Sequence, residues 1–224
     1  MSLAFHFHPL ASFCHKALIA LYENGTPFSP VIVDFGDPAS AEAFRKLWPM
    51  AKMPVLRDDA RDATVAESSV VIEYLDRHYP GTARLVSDEP DRSWQIRFWD
   101  RFFDGYVHHP MQTVVTDNLR PHGARDPFGV EQSKAQIDAA YDYLETQLQS
   151  DGWLVGAYSL AECSASPALF YANTVRPIPA DRRKCRAYLK RLMQRPSFAR
   201  ALKEAEPYFG MFPLEPKPTR DLPE

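Results

Sequence analysis

The chain has 224 residues, of which 45% are hydrophobic, and a formal net charge of −3 from 26 basic and 29 acidic side chains. This length supports one or two domains with a sizeable core. The nearly balanced charge offers no electrostatic surface for nucleic acid or for an anionic membrane. Three cysteines without a CxxC or a Cys/His metal spacing argue against a disulfide framework and favour a reducing, cytoplasmic compartment. No signal-peptide pattern opens the chain, and no apolar run approaches the ~18 residues that span a bilayer.

The first part of the chain alternates strand and helix patterns. Apolar residues alternate over Leu3–Phe7, which predicts a strand, and a helical stripe follows from Phe13 until Asn24-Gly25. A second strand over residues 30–34 is then expected to run parallel to the first, because a βαβ crossover joins them. A short helix, an antiparallel hairpin and an amphipathic helix complete this part, at residues 41–47, 54–56, 63–65 and 67–79.

After a polar linker at residues 82–90, strand patterns cease. A long helical pattern covers residues 91–119, in which Pro110 predicts a kink or a split. Residues 160–175 form a helix that is apolar all round and is therefore expected to be central. Further helices are predicted at residues 130–149, 182–194 and 197–205. The pattern predicts an α/β domain at residues 1–81 and an all-α domain at residues 91–224.

Three smaller features of the helical part are structural. Ser159 and Glu162 form a capping box at the start of the central helix. The basic run within residues 182–191 is interleaved with Ala and Leu, which predicts a solvated helix face rather than a nucleic-acid site. The proline-rich tail from Pro207 is expected to wrap the surface.

Two short stretches combine the residue types that bind a small zwitterion. Met53-Pro54 precedes a strand, and an X-Pro bond can be cis at little cost, which would turn the Met53 backbone outward toward an extended peptide. A trans proline at a strand start is the alternative. Glu67 and Ser68 open a helix, where free amides and the helix dipole suit a carboxylate, or they only cap that helix. Lys52 is either a point charge for a ligand carboxylate or a solvated lysine.

The start of the first helix carries the candidate catalytic groups. Ser12 and Cys14 follow the first strand at its carboxyl end, where open α/β sheets place their ligands. A hydroxyl and free amides there would lower the pKa of a bound thiol. Ser12 is otherwise an N-cap, and Cys14 is either a redox nucleophile or a small buried hydrophobe. His6 and His8 lack a third ligand, so no metal site is predicted, and His108 either lines a pocket or is structural.

In this order and spacing, Ser12, the stretch Leu47-Trp48-Pro49-Met50-Ala51-Lys52-Met53-Pro54-Val55-Leu56 and the pair Glu67-Ser68 resemble the cytosolic glutathione transferases of bacterial type. The resemblance spans essentially the whole chain. It implies a thioredoxin-like domain (βαβ-α-ββα), a linker and an all-α domain, usually assembled as a homodimer. Glutathione would be the co-substrate, with no metal.

The resemblance also assigns roles. Pro54 would be a cis-proline and the Met53 backbone would pair with the cysteinyl part of glutathione. Glu67 and Ser68 would hold its γ-glutamyl end, and Lys52 its glycyl carboxylate. A hydrophobic electrophile would bind between the domains, against a pocket wall formed by Phe103, Tyr106, Val107, Met111, Phe209 and Phe212.

The catalytic position is where the sequence departs from the family. A Tyr, Ser or Cys is expected near the end of the first strand, and alternative alignments place Ala11 or Ser12 there, with Cys14 as a third candidate. Three functions therefore stay open. They are a transferase that uses Ser12, a binding or interaction module that has lost the chemistry, and a thiol–disulfide reductase that uses Cys14.

Overall fold

The computed structural model describes residues 2–221. The predicted domains begin at residue 1 and end at residue 224, so Met1 and residues 222–224 lie outside the described residues. The N-terminal part is built on a four-stranded sheet in the order β2-β1-β3-β4. The strand β1 is parallel to β2 and antiparallel to β3, which is antiparallel to β4. The predicted crossover and hairpin are thereby confirmed. The strands are β1 Leu3–Phe7, β2 Ser29–Ile32, β3 Val55–Asp58 and β4 Ala63–Ala66.

Three helices cover this sheet. The helices α1 and α3 share a core with the strands that includes Phe5, Leu18, Leu56 and Val71. On the opposite face, Phe44 of α2 packs against the strand side chains in a smaller cluster. The element order is the predicted βαβ-α-ββα. The helices are α1 Ser12–Glu23, α2 Pro38–Leu47 and α3 Ser68–His78.

The rest of the described chain is helical. The helix α7 lies at the centre and contacts α1, α4 and α8, as its apolar sequence predicts. The capping box of Ser159 and Glu162 is formed as predicted. No helix among residues 2–221 is long and apolar enough to cross a membrane. The helices are α4 Pro90–Phe102, α5 His109–Asn118, α6 Pro127–Gln147, α7 Leu160–Val175, α8 Arg183–Gln194 and α9 Pro196–Ala205, with 3₁₀ turns at His122–Ala124 and Glu206–Met211.

The long helical pattern of residues 91–119 is interrupted just before Pro110. A π-helical segment, Phe103–His108, separates α4 from α5, and the His109 amide donates to the Asp104 carbonyl five residues back. Pro110 has no N–H for the Tyr106 carbonyl, and its ring would press on that carbonyl in a regular α-helix. A wider π turn relieves this conflict. The predicted split is confirmed, and its form is a π segment rather than a simple kink.

The tail is more deeply anchored than the sequence suggests. Phe209 and Phe212 are buried in the helical core, where Phe209 packs near Phe170 and Phe212 stacks near Tyr171. The Asn118 side chain also donates to the Pro213 carbonyl at 2.6 Å. The expectation of a surface wrap is therefore wrong for Phe209 and Phe212, because their two aromatic rings complete the core.

Candidate active site

The sheet register brings the two predicted glutathione-binding stretches together. Val55 pairs with His6 on one side and with Ala66 on the other. Continuing that register by one residue sets Pro54 between the carboxyl end of β1 and Glu67. The Met53–Pro54 peptide bond is cis, as the resemblance implies. A single edge of the domain therefore carries the Met53 backbone, the start of α3 and the start of α1.

Glu67 has an unusual backbone at this edge. It is the N-cap residue of α3 with φ 66° and ψ 119°, and its side chain makes no capping hydrogen bond. The simple capping alternative is therefore wrong for Glu67. A residue with a Cβ costs about 1–3 kcal/mol in such a conformation, which persists where the surrounding structure or a function requires it. Ser68 follows as a buried residue at the first position of the helix, while Lys52 is exposed just before Met53.

Ser12 is the first residue of α1 and not its cap. Ala11 is the N-cap, and it has no side-chain group to cap with, so the N-cap alternative for Ser12 is wrong. The Ser12 hydroxyl instead forms a short hydrogen bond with Nε2 of His108 in the π segment. The Phe13 ring lies against the same imidazole, with 3.9 Å between the ring centroids. The candidate catalytic hydroxyl is therefore held by the helical domain.

His108 is neutral at physiological pH. Burial lowers its pKa to about 3, and the nearby charges of Lys16 and His109 act in the same direction. A group with so low a pKa is a poor general base at pH 7. With its proton on Nε2, the imidazole donates to the Ser12 oxygen and leaves the Ser12 proton free for a third group. Such a chain of hydrogen bonds makes the hydroxyl a stronger donor.

Below this pair lies an interdomain cluster that we call the Lys16 network, comprising Lys16, Ser69, Asp100, Asp104 and Ser164. The Lys16 ammonium is 2.6 Å from Asp100 and 2.9 Å from Asp104, with only 1% of its side chain exposed. It also donates to the Ser69 hydroxyl at 2.9 Å.

The two carboxylates of the network are held from several elements. Ser69 and Ser164 both donate to Asp100, at 2.9 and 2.5 Å respectively. Burial raises the pKa of Asp104, with Asp100 adding to the rise and Lys16 opposing it. Buried charges persist where each is paired and hydrogen-bonded, because desolvation costs several kcal/mol per ion.

Cys14 does not share the site with Ser12. Its side chain is buried in the sheet core beside Phe5 and Phe7. Burial raises the pKa of its thiol to about 12, so the thiol stays protonated at neutral pH. Of the two alternatives for Cys14, the structure favours the small buried hydrophobe over the nucleophile, because position 14 faces the sheet whereas position 12 faces the helical domain.

The six residues predicted to form a hydrophobic pocket separate into two groups. Tyr106 is 62% exposed. The other five belong to the helical core and can support a pocket wall only from behind. The role of Tyr106 as the exposed residue of the pocket stays a prediction. The buried five are Phe103, Val107, Met111, Phe209 and Phe212.

Lys16, Asp100 and Asp104 are site residues that were not predicted, although their spacing in the sequence carries a signal. Lys16 follows Ser12 by four residues inside an otherwise apolar helical stripe, and Asp100, Asp104 and His108 recur at the same interval. Residues four apart share a helix face. The two polar faces, one in the first helix and one in the long helical pattern, could therefore have been predicted to pack against each other.

A four-stranded sheet with a cis-proline edge, packed against a helical domain, defines a thioredoxin-like protein with an all-α C-terminal part. Sequence profiles support this class. The profile described as "Glutathione S-transferase, N-terminal domain" matches residues 5–83, and "Glutathione S-transferase, C-terminal domain" matches residues 127–191. Together the two matches cover more than half of the chain. The chain belongs to the glutathione S-transferase family.

Individual relatives are distant but nearly full length. Glutathione S-transferase GstB of Escherichia coli K12 is 24% identical over 186 residues, which cover 81% of this chain and 88% of the relative. FtsZ-localized protein A of Caulobacter vibrioides is 24% identical over 210 residues, covering 90% and 91%. The fold is similar to the crystal structure of a glutathione S-transferase from Methylobacillus flagellatus with GSH bound. The TM-score is 0.81 at 22% identity, covering 89% of this chain and 98% of the other.

Proposed function

We propose that this chain is a glutathione transferase that binds glutathione, stabilises its thiolate and directs it at a hydrophobic electrophile. The observation that carries the proposal is the Ser12 hydroxyl, which lies at the N-terminus of α1 with His108 hydrogen-bonded to it. The sulfur of a glutathione molecule paired with the Met53 backbone would lie near this hydroxyl.

The chain's contribution to catalysis is electrostatic and geometric. Ser12 donates to the developing thiolate, His108 donates to Ser12, and the amides at the start of α1 add to the stabilisation. Glu67 takes the ammonium of the γ-glutamyl group, and Ser68 with the first amides of α3 takes its carboxylate. Lys52 takes the glycyl carboxylate as a point charge. Tyr106 forms the exposed part of the wall against which the electrophile is oriented.

Thiolate absorbance of bound glutathione tests this proposal directly. The enzyme saturated with glutathione is titrated, and the pKa of the bound thiol is compared with the free-thiol value of about 8.5–9. We expect a bound pKa at least one unit lower. An unshifted pKa would rule out the proposed mechanism even if glutathione binds.

A second candidate is an interaction module without transferase chemistry. One relative that spans nine tenths of this chain is named for its localisation with FtsZ rather than for a transferase activity. Calorimetry with glutathione separates the candidates, since a module that has lost the site gives no binding heat at millimolar ligand. The position of the Ser12 hydroxyl at the N-terminus of α1, next to the cis-proline edge, favours the transferase.

The oligomeric state and location follow the family expectation. We propose a homodimer formed through the face of α3 and α4, where Val70, Trp94 and Phe98 are exposed and a groove of about 520 Å³ is lined by residues of both helices. We also propose a cytoplasmic location, which agrees with the buried free cysteines.

A further inference from the structure

The Lys16 network touches the three elements that carry Ser12, His108 and Ser68. Lys16 belongs to α1, four residues after Ser12, and Ser69 directly follows Ser68 at the start of α3. Asp104 lies in the π segment, four residues before His108. Asp100 and Ser164 extend the contacts into α4 and α7. The network therefore joins the hydroxyl, the imidazole and the γ-glutamyl pocket through one buried ammonium.

We propose that Lys16 is a positioning residue: its ammonium aligns α1 with the π segment and with the start of α3, so that Ser12, His108 and Ser68 meet in one geometry. The proposal rests on the proposed glutathione transferase function. An ammonium has three donor hydrogens, and Lys16 directs them at Asp100, Asp104 and Ser69. Lys16 is thus in direct contact with the π segment through Asp104 and with the start of α3 through Ser69.

The two arms of the network predict different kinetic effects. The Asp104 arm connects Lys16 to the segment that carries His108, so its loss should disturb the alignment of Ser12 with the thiol. The Ser69 arm connects Lys16 to the start of α3, so its loss should disturb the binding of the γ-glutamyl group. A network with only a stabilising role would give no such division, because loss of stability alone lowers the amount of folded enzyme.

The test compares Asp104→Ala and Ser69→Ala, which leave the Lys16–Asp100 ion pair in place. We expect Asp104→Ala to lower kcat by about tenfold or more with KM for glutathione little changed, since misplacing a reacting group by ~1 Å can cost ~100-fold. We expect Ser69→Ala to raise KM for glutathione about tenfold with kcat little changed, because it disturbs a binding group and leaves the thiolate donor in place. Asp104→Asn and Ser69→Thr should restore part of each loss.

A matched control lies at the other end of α1. Glu23 forms a second, partly buried interdomain ion pair, with Arg195 at 2.6 Å, and its described hydrogen bonds go to Arg195 and Ser197, outside the proposed site. Glu23→Gln should lower Tm as the network variants do, while kcat and KM stay within about twofold. If all three variants lower Tm and none shifts kcat or KM separately, the positioning role is overturned.

A spectroscopic measurement separates failure of this inference from failure of the proposed function. The ¹⁵N shift of the His108 imidazole reports its hydrogen bond to Ser12 without glutathione. We expect Asp104→Ala to move that shift and Glu23→Gln to leave it unchanged. An unmoved shift in Asp104→Ala would overturn the positioning role whatever the enzyme's activity. A wild type without thiolate stabilisation would overturn the transferase proposal alone.

Discussion

Ser12 and His108 are hydrogen-bonded although 96 positions of the chain separate them. The bond joins the first residue of α1 to the last residue of the π segment, and so crosses the boundary between the two domains. Two local features of the chain accompany this bond. The N-cap position of α1 is occupied by Ala11, so the Ser12 hydroxyl does not cap the helix. The π turn places His108 within hydrogen-bond distance of that hydroxyl.

Removal of the Ser12 hydroxyl should raise the pKa of the bound glutathione thiol. A hydrogen bond to a charged group contributes about 1.5–3 kcal/mol, which corresponds to a shift of about one to two pKa units. We therefore expect Ser12→Ala to bring the bound thiol close to its free pKa and to lower kcat/KM below that pKa by about tenfold to 100-fold. Thiolate absorbance and initial rates measure the two effects. An unchanged thiol pKa would transfer the role to the α1 amides.

Acidification should destabilise the fold through its buried histidines. Burial lowers the pKa of His108 to about 3 and that of His15 to about 4, whereas the unfolded chain titrates near 6.5. The unfolded state therefore binds more protons below pH 6.5, and the free energy of unfolding falls as the pH falls from there toward 4. Above pH 6.5 both states are neutral at these positions and the effect vanishes.

The contribution of His108 can be isolated by substitution. At pH 5 each histidine lowers the free energy of unfolding by roughly 2 kcal/mol. We expect the difference between pH 7 and pH 5, measured by urea denaturation, to be smaller by about that amount in His108→Gln than in the wild type. Equal pH dependence of the two proteins would contradict a buried neutral His108.

The sequence predicted one side of the site well and the other side poorly. Pro54 and Glu67 are close in the chain, and a hairpin register brings them together, so local patterns are sufficient. The pairing of Ser12 with His108 depends on how a helix of one domain packs against a π segment of the other. That segment forms because Pro110 cannot donate to Tyr106, and periodicity predicts only that the helix is disturbed there. The π turn changes the direction in which residues 103–108 point, and this direction cannot be read from the periodicity of the sequence.

The same limit explains the prediction for Cys14. Cys14 is two positions after Ser12, and both residues lie near a helix N-terminus, where a low thiol pKa is favoured. Which of them faces the sheet depends on the orientation of α1, and the hydrophobic contacts of Leu18 and Leu21 with the strands set that orientation. Burial then outweighs the helix dipole at Cys14.

Cys14→Ala should leave transferase activity unchanged. The thiol is buried and protonated, so we expect kcat and KM within about twofold of the wild type, with the free energy of unfolding lower by ~1 kcal/mol for the small cavity left behind. Native protein should also resist alkylation at Cys14 by iodoacetamide, as judged by mass spectrometry. Loss of activity in this variant, or rapid alkylation, would restore Cys14 as a catalytic candidate.

Glu67→Gly should stabilise the fold and weaken glutathione binding. Glycine accepts a positive φ without the Cβ clash, so we expect a gain of about 1 kcal/mol in the free energy of unfolding. Calorimetry should show at least tenfold weaker glutathione binding, because the carboxylate for the ammonium is lost. Asp62→Gly is the matched control, since Asp62 has φ 49° in the β3–β4 turn. It should stabilise without affecting glutathione binding, and equal binding by both variants would remove Glu67 from the site.

A charge on the exposed face of α4 should dissociate the proposed homodimer. Trp94 is 59% exposed on α4 and Val70 is 50% exposed on α3, and exposed apolar side chains that form one patch mark an interaction surface. We expect Trp94→Glu to raise the dimer dissociation constant about 30-fold or more, the equivalent of the ~2 kcal/mol of an interface hot spot. Phe128→Glu, at the 72% exposed ring of α6, is the matched control and should leave the dimer intact. Sedimentation velocity over a range of concentrations measures both. A wild type that sediments as a monomer throughout, or equal dissociation by the two variants, would show that this face is not the interface.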